Sequence, residues 1–132
     1  MIQSDFVRRI GSNFMVDLTS VQYLDNILCK IPYNEKPFVL REKLNHNIIL
    51  FWLQLVKSKM ESQNYFYCIL LTHKKYGKFR YEGFVKSIDD VNEDTYCGLM
   101  LPLEVAKQII SEDKSYTLEI NIENFKANEN FE

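Results

Sequence analysis

Tyr116, Leu118, Ile120 and Ile122 alternate strictly with Thr117, Glu119, Asn121 and Glu123. A period of two puts apolar side chains on one face of a strand and polar ones on the other, so this stretch predicts a half-buried strand. Phe14, Val16 and Leu18 alternate with Met15 and Asp17 in a weaker version of the pattern. Tyr65 to Thr72 is apolar almost throughout, the mark of a strand buried on both sides, and Tyr76-Gly77 predicts a tight turn into a return strand from Lys78 to Ile88. Residues 45–60 contain the run Ile48-Ile49-Leu50-Phe51-Trp52-Leu53. On a helix, Leu50 and Phe51 would fall on the polar face. On a strand both faces are apolar, and the β-branched and aromatic content favours a central strand. A short strand is expected from Tyr96 to Leu101.

Other segments repeat at three and four residues. Ser4 is placed to cap a helix through Ile10, with Gly11 to end it. From Thr19 or Ser20, the spacing of Val21, Leu24, Ile27, Leu28 and Ile31 predicts a second helix stopped by Pro32, and residues 32–37 read as a loop. Pro102 suits the first position of a third helix, whose apolar stripe is Leu103, Ala106, Ile109 and Ile110. The pattern predicts one α+β domain over 1–125. It comprises a mainly antiparallel sheet of about five strands with a meander-like centre, and two to three packed helices. Residues 126–132 are polar and are expected to fray.

Length and composition agree with a single soluble domain. The chain has 132 residues, 46% of them hydrophobic, enough to build one core. Its longest apolar run falls far short of the roughly 20 residues of a membrane helix, and the N-terminus carries no signal-like stretch. The three cysteines, Cys29, Cys68 and Cys97, are odd in number and widely spaced. They read as reduced thiols, and the predicted location is cytoplasmic.

Charge changes the picture more. The formal net charge is −2, yet residues 1–87 hold thirteen Lys/Arg against seven Asp/Glu, whereas residues 88–132 hold three against eleven. Opposite patches on one small domain steer charged partners, which points to binding rather than chemistry. Two surfaces are candidates. The acidic one joins the loop residues Asp89, Asp90, Glu93 and Asp94 to Glu119 and Glu123 on the last strand, with Glu104, Glu112 and Asp113 adding to the field; it suits a basic protein partner. The basic one is the hairpin 72–86. A two-residue turn at Tyr76-Gly77 would pair Lys75 with Lys78, His73 with Arg80 and Leu71 with Glu82. Lys74, Lys75, Lys78 and Arg80 would then contact phosphates while Tyr76 stacks on a base. A sequence pI near 5.7 weighs against that nucleic-acid reading.

Chemistry is thin by comparison. Asp90, Asn92 and Asp94 match the opening of a calcium loop, but Thr95 stands where glycine is required and Leu101 where a bidentate Glu is required. No zinc spacing and no glycine-rich phosphate loop occurs, and Cys68 or Cys97 with His73 is the only thiolate pair that can be drawn. Neither cofactor nor metal is expected. The sequence therefore predicts a non-enzymatic protein-binding module of the inhibitor or immunity type that masks a basic partner. The runner-up is a nucleic-acid module using the hairpin. By strict alternation Phe84 falls on the face with Lys78, Arg80, Glu82 and Lys86, which makes it either an exposed anchor or a ring buried by a bulge at Gly83. The strand Tyr116–Ile122 is a candidate edge for homodimer pairing.

Overall fold

In the computed structural model, residues 7–21, 26–56, 62, 64–87 and 97–125 are described. Two antiparallel sheets face one another across the core. The first runs β1-β2-β10-β6-β7, built from β1 (Val7–Ile10), β2 (Asn13–Leu18), β6 (Tyr65–His73), β7 (Gly77–Phe84) and β10 (Tyr116–Asn124). The second runs β3-β4-β5-β8, built from β3 (Asn26–Tyr33), β4 (Lys36–Asn45), β5 (Ile48–Leu55) and β8 (Lys86–Ser87), with β9 (Leu99–Pro102) also on β5. The free side of β5 is thus shared: β9 pairs antiparallel with Ile48–Phe51, and β8 pairs parallel with Gln54 and Leu55. Among the described residues there is one short helix, α1 (Leu103–Asp113).

The core lies between the sheets. Phe14, Leu118, Ile120, Tyr67 and Ile69 from the first sheet meet Phe38, Leu40, Phe51 and Leu53 from the second. Edge-to-face ring pairs cross the gap: Phe38 on Tyr65 at 5.0 Å, Tyr33 on Phe14 at 6.4 Å, and Phe51 on Tyr116 at 6.4 Å. Leu103, Ala106 and Ile109 of α1 are buried, and the helix packs against β9 and β10. At Val85, whose N–H donates to the Tyr65 carbonyl at 3.0 Å, the chain leaves the first sheet for the second. Along the seams β7 passes beside β9 and β1 beside β3, so the sheets close on each other at both sides.

This architecture corrects the expected α+β domain with two to three packed helices: the protein is mostly antiparallel sheet. The first helix does not form over the residues described, because Gly11 (φ +61°) turns a hairpin that pairs Ile10 with Asn13. Residues 1–6 and 22–25 lie outside the described residues. The second helix fails for another reason. A register shift between Ile27 and Cys29 in β3 buries Leu28 and Cys29 in succession, and that interruption imitates helical spacing. Pro32 is tolerated because β3 is an edge strand, bonded to β4 alone. The expected 32–37 loop is instead a two-residue hairpin turn, with Asn34 (φ +52°) and Glu35 (φ +55°) both left-handed as a primed turn demands.

Three elements stand as expected: β5 covered on both faces, β6, and the helix that follows Pro102. The last strand is present but central. β10 is hydrogen-bonded to β2 on one side and β6 on the other, so Tyr116–Ile122 offers no edge for a second copy.

Candidate functional site

The outward face of the first sheet carries the site. Pairing of β10, β6 and β7 sets its side chains in three rows. Glu119, Leu70 and Arg80 form one, Asn121, Cys68 and Glu82 the next, and Glu123, Phe66 and Phe84 the last. All of these except Phe84 line a cleft of about 230 Å³ floored by β6, with β10 as one wall and β7 as the other. Alternation puts these residues outside, because Leu118, Ile120, Ile122, Tyr67 and Ile69 take the inward positions.

At one end of the cleft three phenylalanine rings pack together in edge-to-face and tilted contacts. Phe66 meets Phe84 at 5.4 Å and Phe125 at 5.5 Å, and Phe84 meets Phe125 at 5.8 Å. Phe84 is 55% exposed and Phe125 37%, although both rings are apolar. Phe84 is therefore exposed, as alternation along β7 implies, rather than buried by a bulge at Gly83.

The charges around the cleft are unequally satisfied. The Arg80 guanidinium donates to Glu82 at 2.6 Å, and this bond raises the Arg80 pKa above its ordinary value. Arg8 grips Asp17 with two bonds of 2.8 and 2.9 Å, and Thr117 donates to the same carboxylate at 2.6 Å, so the Asp17 pKa is lowered. Among the described residues no cation pairs with Glu119 or Glu123. Burial raises the Cys68 thiol above its usual range, and Glu82, Glu119 and Glu123 add to this against the opposing charge of Arg80.

The basic hairpin is reorganised. Lys74, Lys75 and Tyr76 make a three-residue turn, and His73 pairs with Gly77 (φ +90°), so Leu71 faces Phe79 and Leu70 faces Arg80. The return strand is offset by an odd number of positions from the expected pairing, which exchanges its faces. The cause is His73, whose Nδ1 accepts the amides of Lys75 (3.1 Å) and Tyr76 (3.4 Å) and so widens the turn. Its Nε2 lies 2.8 Å from Asp113, and Lys75 donates to Glu112 at 3.2 Å. Tyr76 is half-buried against His73, with ring centroids 5.2 Å apart. Of the predicted phosphate contacts, Lys75, though exposed, is bonded to Glu112 of α1, Arg80 lies in the cleft, and Lys74 and Lys78 are exposed at the tip.

The acidic surface is brought together only in part. Glu119 and Glu123 face the cleft, whereas Asp89, Asp90, Glu93 and Asp94 lie outside the described residues, as does most of the calcium-like loop. Glu112 and Asp113 bind the hairpin rather than extending the patch, and Glu104 is exposed on α1 with Lys107 at 4.0 Å. Phe66, Cys68, Leu70, Glu82 and Phe125 were not foreseen as site residues. Their places depend on β6 pairing with β10, a contact across some fifty residues that no local pattern encodes. Cys68 and His73 project to opposite faces of β6, so that thiolate pair does not assemble. Among the described residues no group of three or more potential metal ligands comes together, and no helix is long and apolar enough to cross a membrane.

All three cysteines are free thiols. Cys97 is exposed and Cys68 half-buried, while Cys29 is fully buried with its pKa pushed up by burial to about 12. Iodoacetamide under mildly alkaline conditions is expected to label Cys97 first, Cys68 more slowly, and Cys29 only on unfolding. Peptide mass spectrometry reads the order; early labelling of Cys29 would contradict this packing.

No known protein family and no curated protein matches the chain.

Proposed function

We propose that this chain is a non-enzymatic protein-binding module acting in the cytoplasm, of the inhibitor or immunity kind, which covers a basic surface of its partner. One observation carries the reading: a partly exposed trio of mutually packed phenylalanine rings shares a row with Glu123, and neither Glu123 nor Glu119 at the other end of the cleft is neutralised by a cation in the described residues. Interfaces draw most of their energy from a few large apolar anchors, while surrounding charge selects and steers the partner. Free thiols fit a reducing compartment. The nucleic-acid reading loses support because the hairpin's Lys75 and His73 are held by the acidic end of α1.

The test is capture from native lysate by the immobilised chain, with and without nuclease, followed by affinity measurement on the recovered protein. A stoichiometric protein partner that survives nuclease and loses about thirtyfold or more in affinity with Phe84→Ala is the expected result, as for an interface anchor. Recovery of nucleic acid alone, lost through Lys74→Glu with Lys78→Glu, would reverse the assignment.

A further inference from the structure

We infer that the cleft of the first sheet receives arginine side chains from an extended segment of the partner, with an apolar residue on the same face of that segment seated on the phenylalanine trio; this rests on the protein-binding reading above. The carboxylates supply the first reason. Asp17, Glu82, Glu112 and Asp113 each lie against Arg8, Arg80, Lys75 and His73 respectively, within the chain itself. Glu119 and Glu123 differ: both stand on the central strand, both border the cleft, and among the described residues neither is paired. On the cleft's own face Asp17 and Glu82 are thus neutralised internally, whereas Glu119 and Glu123 are not.

The floor selects the cation. Cys68 and Leu70 are half-buried and weakly polar, and Phe66 presents an aromatic ring at one end. A planar guanidinium is more weakly hydrated than an ammonium, lies flat on such a surface, and offers its N–H edge to a carboxylate. On the opposite wall the Arg80 guanidinium already donates to a carboxylate, that of Glu82.

Spacing defines the segment. Glu119 and Glu123 are four residues apart on a strand, about 13 Å at roughly 3.3 Å per residue. One cation cannot bridge that distance, but two arginines four residues apart in an extended segment match it. Glu123 shares its row with Phe66 and Phe84, and Phe125 lies two residues further on, so an apolar residue two positions beyond the second arginine, on the same face of the extended segment, falls on the exposed rings.

The probe is an acetylated and amidated peptide, Arg-Thr-Ser-Thr-Arg-Thr-Leu, titrated into the ¹⁵N-labelled chain. Amide shifts confined to 66–70, 80–84 and 119–125 are expected, with affinity falling about tenfold in each of Glu119→Gln and Glu123→Gln, the loss of one charge-assisted bond. Both substitutions are isosteric and lie on an outward face, and an unchanged urea midpoint verifies folding. Equal binding by the Lys-for-Arg peptide, or binding indifferent to both Gln variants, would overturn the inference. The recovered partner separates the two levels. Dependence on Phe84 without dependence on Glu119 and Glu123 rejects the arginine assignment and leaves protein binding standing. Indifference to all three rejects both.

Discussion

Phe51→Ala is expected to lower the unfolding free energy by about 3–5 kcal/mol, a large share of the 5–15 kcal/mol or so that holds a domain together. Phe51 is fully buried in β5, pairs with Glu42 on β4 and Leu99 on β9, and packs edge-to-face on Tyr116 of the opposite sheet. Truncation therefore opens a void where strands from both sheets converge, and none of them can close it without breaking register. Urea unfolding followed by the fluorescence of Trp52, the sole tryptophan, measures the loss. A shift below about 1 kcal/mol would mean that the sheets do not meet at this ring in a close-packed core.

Gly98→Ala is expected to cost about 2–3 kcal/mol, as overpacking against an unyielding neighbour does. A Cβ at Gly98 would collide with the carbonyl oxygen of Phe51 and stand 3.1 Å from its carbonyl carbon. That neighbour is backbone of β5, so relief requires β9 to lift away from it. Gly83 makes the instructive contrast. A Cβ there meets the Tyr81 ring, a half-buried side chain able to rotate. Gly83→Ala is therefore expected to be nearly neutral, because alanine also loses less backbone entropy than glycine. Equal urea midpoints for the two variants would show that β9 is loosely seated on β5.

The sequence was legible where burial follows a simple rule. Strict alternation identified β10 and correctly assigned Glu119 and Glu123 to its outward face, and a double-sided apolar run identified β5. It misled where one residue breaks the rule. The register shift after Ile27 turned a strand into apparent helical spacing, and the His73 ring widened a turn by one residue and exchanged the faces of β7. Half of the site depends on such non-local facts. Glu119 and Phe84 were readable from their own strands, but Cys68 between them becomes a cleft floor only when β10 inserts beside β6. Charge segregation along the chain, for its part, does not translate simply into patches. The acidic end of α1 lies against the basic hairpin and cancels part of the contrast.

The position of β10 also bears on how the domain is synthesised. In the order β1-β2-β10-β6-β7 the last strand to leave the ribosome is the middle one. Until it arrives, two hairpins emerge with bare inner edges, the kind of exposed pairing surface on which nascent chains go astray. The same late strand brings Glu119 and Glu123. A nascent chain therefore cannot assemble the cleft before its fold is closed, because the strand that brings these carboxylates is also the one that joins the two hairpins.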